Sequence, residues 1–267
     1  MAMDKHTIGP HITANDELEK IALEQDMHDF QKEKLEQEAK KNWDLFYKRN
    51  STNFFKDRRW LTKEFPEITE LDKTGGTICE IGCGVGNTIL PLIEECSNIF
   101  FHGCDLSPRA INFLKEDDRY NSERMNCFEF DITANDLISV ITPNTVDLVT
   151  LVFVLSAITP EKMVLSLKNI HKVMKPGGIV LFRDYGLYDH AMLRFKAGHK
   201  IQSQFYKRQD GTRAFYFSTE DTENIFSESG FELLYNRYES RETVNRKEKV
   251  SVQRVFIQSS FVKPLKS

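Results

Sequence analysis

At 267 residues the chain fits one domain of ordinary to large size, or one domain with an extension, with ample material for a core. Its 40% apolar and 28% charged residues are globular proportions, and its uninterrupted apolar runs are too short for a membrane-spanning helix. The formal charge of −4 hides a segregation: residues 1–40 carry five bases and ten acids, 41–63 seven and two, 64–164 six and seventeen, 165–267 eighteen and eleven. The acidic middle excludes a polyanion resting on that segment alone. A surface built jointly from the two basic blocks remains open, as do faces that are merely solvated.

The first sixteen residues show neither the apolar stretch of a secretory signal nor the Arg-rich, acid-poor character of a mitochondrial leader, so residence in the cytoplasm, with access to the nucleus, is expected. Thr13-Ala14-Asn15-Asp16 has the layout of a weak capping box. Leu35, Ala39, Trp43, Phe46 and Tyr47 then recur at spacings of four, four, three and one, which predicts an aromatic stripe on one long helix ending near Asn50. Such a helix must pack on something, because propensity alone does not hold it. Residues 1–60 therefore read as an N-terminal helical extension and 61–267 as the main domain. At their junction, Phe54, Phe55, Lys56, Arg58, Arg59 and Trp60 interleave rings with cations.

From Thr77 the pattern changes. Short β-branched or aromatic runs at 77–82, 99–105, 126–131, 146–154 and 179–184 alternate with helical stretches at 87–95, 108–115 and 160–174, an α/β order that predicts βαβ units and a parallel sheet. Lys175-Pro176-Gly177-Gly178 closes the last of these helices and turns into the next strand. A basic, aromatic and irregular insertion follows at about 186–217, then a helix at 219–229 stopped by Gly230, and strand-like runs at 231–238 and 252–262. The five cysteines all lie within 79–127 without a CxxC pair or companion histidines, and read as reduced, buried thiols; no metal is expected.

The strongest local signal is Glu80-Ile81-Gly82-Cys83-Gly84-Val85-Gly86-Asn87, where the first strand turns into the first helix. A dinucleotide fingerprint would be GxGxxG; here the spacing is GxGxG, preceded by an acid. Glu80 would disfavour a pyrophosphate but suits a cofactor with an amino group and a sulfonium, such as S-adenosylmethionine. Asp105 ends the second strand and offers two acceptor oxygens to ribose hydroxyls. Asp131 ends the third, placed to accept from an adenine amino group with Ile132 against the ring, and Val152 marks the fourth strand end. A structural turn and two helix caps would explain each feature singly, whereas the ordered set points to one cofactor crevice. It resembles the class I S-adenosylmethionine-dependent methyltransferases, which implies a Rossmann-like, seven-stranded, mostly parallel sheet whose last strand is antiparallel.

The absence of cysteine after Cys127 disfavours pyrimidine carbon-5 methylation, which needs a thiol nucleophile. The Asp/Asn-Pro-Pro-aromatic motif of amino-directed nucleic-acid enzymes is replaced by Phe153-Val154-Leu155-Ser156-Ala157. A ring nitrogen with a free lone pair needs positioning above all, and a carboxylate suits the cation that methylation creates. Asp184, at the end of the fifth strand, is the candidate, with a turn-capping aspartate as its alternative. Arg183, Tyr185, Tyr188, His190, Arg194, Lys196, Lys207 and Arg208 form a second interleaving of cations and rings, the mixture used for single-stranded RNA, or else ordinary core aromatics among solvated charges.

Two segments carry a closer resemblance. Lys41-Asn42-Trp43-Asp44-Leu45-Phe46-Tyr47-Lys48-Arg49-Asn50 with Asn53-Phe54-Phe55-Lys56-Asp57-Arg58 is similar to the N-terminal signature of the eukaryotic tRNA 3-methylcytidine methyltransferases. So is Phe182-Arg183-Asp184-Tyr185-Gly186-Leu187-Tyr188-Asp189, together with Gln209-Asp210-Gly211-Thr212-Arg213 and Arg241-Glu242-Thr243-Val244-Asn245. The similarity runs from about residue 30 to 264. It implies methyl transfer from S-adenosylmethionine to N3 of cytidine 32 in the tRNA anticodon loop, chiefly in serine tRNAs, with seryl-tRNA synthetase as a helper. It also implies that Trp43 and Tyr47 fold over the cofactor. Two rivals share the motifs: a methyltransferase for a small molecule or protein, and a non-catalytic RNA-binding scaffold with the same fold.

Overall fold

A computed structural model describes residues 24–245 and 250–265; the capping box at Thr13 lies outside the described residues. Seven strands form the main sheet: β1 (Gly76–Ile81), β2 (Ile99–Asp105), β3 (Met125–Glu129), β4 (Val146–Val152), β5 (Met174–Tyr185), and a final pair, Glu232–Asn245 and Val250–Val262. Three short strands precede that pair, namely β6 (Lys200–Gln202), β7 (Phe205–Lys207) and β8 (Arg213–Phe215), so the pair is β9 and β10. The sheet order is β3-β2-β1-β4-β5-β10-β9, with β10 antiparallel to both its neighbours. This is the α/β, mostly parallel sheet with an antiparallel last strand that the motif resemblance implies.

The strands read as almost continuous apolar runs because both faces are covered. On β5, Val180 and Phe182 enter one core cluster while Ile179 and Leu181 enter or pack against the other, the period of two expected of a strand. The first cluster lies under α7 (Pro160–Val173) and α9 (Thr219–Glu228), where Phe226 stacks on Phe261 at 4.0 Å and 2°. The second lies under α3 (Leu61–Glu64), α4 (Pro66–Thr74), α5 (Ile89–Glu95) and α6 (Pro108–Lys115). Each fully buried Leu, Ile or Phe stabilises by roughly 1.5–3 kcal/mol, so the two clusters fix the sheet that carries the strand ends.

Several expectations are corrected. The long N-terminal helix is two, α1 (Asp29–Gln37) and α2 (Ala39–Asn50), parted at Glu38, whose ψ of 3° tilts the ladder while Glu38 and Asn42 keep their hydrogen bonds to Lys34 and Glu38. Residues 61–74 form α3 and α4, with Pro66 at the first position of α4, where its missing N–H costs nothing. The fourth strand stops at Val152 because Phe153 has φ +60°, and the third stops at Glu129, two residues before Asp131. The insertion is not irregular: it holds α8 (His190–Leu193) and a β6-β7-β8 antiparallel sheet, three-residue strands too short for periodicity to register.

Candidate cofactor and substrate site

The carboxyl ends of β1, β2, β4 and β5 and the chain just beyond β3 open into one cavity of about 810 Å³, in the upper part of the usual range for small-molecule sites. Its floor at one end is the glycine loop. Gly82 and Gly84 have φ of +66° and +54°, and a Cβ at either would stand 2.5 Å from Val154 or from the Tyr47 hydroxyl. Only glycine fits there. Asp105 anchors the loop: its Oδ2 accepts from the Gly84 N–H at 2.9 Å and its Oδ1 from the Ser107 N–H at 2.8 Å. Two lone pairs of the carboxylate therefore remain for a ligand. Asp131 Oδ1 is held by the backbone and hydroxyl of Thr133, at 2.9 and 2.7 Å, with Ile132 beside it in the wall.

Above the loop lies α2. Tyr47 and Phe46 are buried there against Val85 and Ala110, Trp43 packs beside them, and Asp44 ties the helix to α6 through Ser107 Oγ (3.0 Å) and Arg109 (3.2 Å). Every residue expected to hold the cofactor, Trp43, Tyr47, Gly82, Gly84, Asp105, Asp131, Ile132 and Val152, lines this cavity. Glu80 does not. It is buried beneath the loop, hydrogen-bonded to the Thr88 side chain and 3.8 Å from Arg58 Nη1, and burial raises its carboxyl to about 7.

The other end of the cavity is lined by rings. Phe153 lies 5.0 Å from Tyr185 and 5.5 Å from Phe256, with the guanidinium groups of Arg58, Arg208 and Arg254 over their faces at 5.2–5.5 Å. Phe54, Phe55, Lys56, Arg58, Tyr185 and Arg208 are the expected substrate residues that reach the cavity. The remainder do not line it. Arg59 pairs with Glu94 at 2.6 Å. Tyr188 packs in a small core with Met192, Tyr206 and Tyr216, and His190, Arg194, Lys196 and Lys207 border that core and its sheet. Arg183 is buried, hydrogen-bonded to Gln258 and 4.7 Å over the Trp60 ring.

Asp184 differs most from its expected place. It is fully buried and outside the cavity wall; Oδ2 accepts from the Ser156 N–H at 3.0 Å and Oδ1 from the Tyr185 N–H at 2.9 Å. Burial raises it to about 6. In the structure it holds the turn after β4 under the cavity and does not line it. Sequence reasoning named Trp60 and Arg213 only as members of longer segments, and missed Arg254 and Phe256 as cavity residues. The last two belong to the antiparallel strand, and alternating Arg and Phe so far downstream carries no local signal.

Burial also raises Asp105, to about 6 from an ordinary 3.8, against its two N–H partners. Only the ionised form accepts from two hydroxyls. A ligand held by those oxygens is thus bound fully above about pH 6 and released as pH falls through that value. We expect S-adenosylmethionine affinity to drop toward tenfold per unit below about pH 6, and Asp105→Asn to flatten the profile. Calorimetry across that window checks it; a flat wild-type profile would refute it.

Comparison with known proteins gives a consistent set of relatives. Residues 79–180 match a methyltransferase domain family. Human tRNA N(3)-cytidine methyltransferase METTL6 is 52% identical over 270 residues, covering 100% of this chain and 95% of its own length. The Schizosaccharomyces pombe tRNA N(3)-methylcytidine methyltransferase trm141 is 43% identical, covering 89% and 97%. Among solved structures, a SAM-dependent methyltransferase from Anabaena variabilis superposes with a TM-score of 0.63 at 13% identity over 84% of this chain and 94% of that one, a likeness of fold alone.

Proposed function

The chain belongs to the tRNA N(3)-cytidine methyltransferase family, and on that premise we propose that it methylates N3 of cytidine 32 in the anticodon loop, chiefly of serine tRNAs, using S-adenosylmethionine. One observation supports this reading most: a single cavity joins a glycine loop and the carboxylates of Asp105 and Asp131 to a slot of rings and guanidinium groups. The first part fits the cofactor. Side chains are excluded at Gly82 and Gly84, Asp105 retains lone pairs for ribose hydroxyls, and Asp131 with Ile132 suits an amino-bearing ring. When bound, S-adenosylmethionine supplies an electrophilic methyl group on a sulfonium.

The chain's own residues supply the rest. Helix α2 acts as a lid, in which Tyr47 and Trp43 cover the loop and exclude water. Phe153, Tyr185 and Phe256 stack the extruded base, and an anticodon-loop base, being unpaired, costs little to extrude. Since N3 is already nucleophilic, holding it on line with the methyl group is most of the work, worth roughly 7–11 kcal/mol of a barrier. Lys56 at the cavity and Arg59 outside it suit phosphate contacts, and seryl-tRNA synthetase would present the tRNA.

Incubation with labelled cofactor and total tRNA, with and without the synthetase, followed by nucleoside mapping, should place the label in 3-methylcytidine at position 32. Label in another nucleoside, or none in any tRNA, would overturn the reading. Tyr185→Ala should lower kcat/KM for tRNA about 10- to 100-fold, the range of one lost base stack, and leave cofactor Kd within about twofold. A loss confined to cofactor binding would remove Tyr185 from the slot.

A further inference from the structure

Methylation at N3 leaves the cytosine ring cationic, so a carboxylate beside it is worth far more in a dry cavity than in water. With Asp184 outside the wall, the cavity offers Glu36, Asp105, Asp131 and Asp210. Asp105 and Asp131 belong to the glycine-loop end. Glu36 is spent: Arg213, Thr159 and Lys162 all donate to it, which holds its carboxyl down at about 2 in spite of burial. Asp210 is different. Its Oδ1 accepts from the N–H and hydroxyl of Thr212 at 2.9 and 2.6 Å, while Oδ2 has no hydrogen bond among the described residues.

The cavity arginines narrow the choice further. Arg58 has Glu80 at 3.8 Å, Arg213 has Glu36, and Arg254 has the fully buried Asp189 at 2.8 Å. Arg208 is the one cavity arginine with no carboxylate within salt-bridge distance among the described residues; its Nη1 lies 3.3 Å from the Arg213 carbonyl and its guanidinium 5.2 Å over Tyr185. Arg208 and Asp210 share one tight turn, closed by Arg208 N–H to the Thr212 carbonyl at 2.8 Å and clamped from the lid by Asn42 on the Gly211 carbonyl at 3.1 Å. Nη1 of Arg208 donates to the Arg213 carbonyl and the Thr212 hydroxyl, while Nε and Nη2 have no hydrogen bond among the described residues; these donors and the Asp210 Oδ2 acceptor are therefore held two residues apart on a fixed turn beside the ring slot.

Resting on the reading above, we propose that this turn reads the Watson–Crick edge of the target cytosine, Asp210 accepting from the 4-amino group and Arg208 donating to O2, with N3 bare between them. A bond forms from the N3 lone pair to the methyl carbon as the carbon–sulfur bond breaks and its electron pair stays on sulfur. Positive charge passes to the ring, no proton is removed, and Asp210 faces that charge. Uracil would set a carbonyl against the carboxylate and a proton on N3, so the same pair rejects it.

The test is a chemical cycle. A serine tRNA is assembled around a synthetic anticodon loop carrying either cytidine or its 4-deamino analogue at the target position, and both are assayed with wild type, Asp210→Ala and Asp210→Asn, the last keeping an oxygen for the Thr212 N–H. With cytidine, both variants should lose about a hundredfold in kcat/KM, with cofactor Kd within about twofold. The analogue still becomes cationic on methylation but lacks the 4-amino contact, so the loss in both variants should shrink to about tenfold or less. Equal losses on both substrates would overturn the contact while leaving the proposed function standing; wild type that leaves the target cytidine unmodified and methylates another position of the tRNA would overturn both.

Discussion

Asp105→Ala is expected to weaken S-adenosylmethionine binding by at least about a hundredfold. The carboxylate does two jobs at once. It accepts from the Gly84 and Ser107 N–H groups, fixing the loop against the end of β2, and it keeps the lone pairs that ribose hydroxyls would use. Each hydrogen bond to an ionised group is worth about 1.5–3 kcal/mol, so losing two ligand contacts alone reaches about 3 kcal/mol, more than a factor of one hundred. Loosening of the loop adds to that. Asp105→Asn keeps one acceptor and should fall between wild type and alanine. Calorimetry at pH 7.5 measures both, and melting curves show that the fold survives. A Kd for the alanine variant within about threefold of wild type would mean that Asp105 is only a turn former.

Asp184→Ala should lower stability by about 2–4 kcal/mol. Removing the carboxylate strands the buried Ser156 N–H and the partly buried Tyr185 N–H, each costing about 1–3 kcal/mol without a partner. For a domain of this size that corresponds to a fall in Tm of roughly 5–15 °C. Turnover should fall with it, because both the turn after β4 and Tyr185 border the slot, while tRNA affinity should change little. The pH dependence separates this account from a catalytic one. Asp184 titrates near 6 in the fold and near 3.8 when unfolded, so the folded protein binds its proton more tightly. Stability from this group is full below the unfolded value and is lost as pH rises through about 6. Asp184→Asn cannot gain that proton, so the Tm advantage of wild type over Asp184→Asn should grow as pH is lowered from 7.5 to 5. A constant difference, with normal stability but no turnover, would return Asp184 to the chemistry.

Much of the fold and half of the site were legible in the residues themselves. The strands themselves, the GxGxG turn, Asp105 and Asp131 follow from rules that act between neighbours in the chain: alternation along strands, glycine where the backbone turns sharply, an acid at or just past the end of a strand. A parallel sheet then brings those ends to one rim whatever lies around them. Which side chain at the rim faces the cavity is another matter. Arg183 and Asp184 sit at the right strand end, but one enters a cage of Trp60 and Gln258 and the other caps the turn at Ser156. The rings of the insertion close into a core of their own around Tyr206 and Tyr216. The groups that do face the slot are selected by pairings such as Arg254 with Asp189 and Arg213 with Glu36, 65 and 177 residues apart. Local pattern thus determined where the chemistry is located. The tertiary structure decided which residues face the cavity there, because a charge is free to meet a substrate only after every distant partner that would neutralise it has been placed.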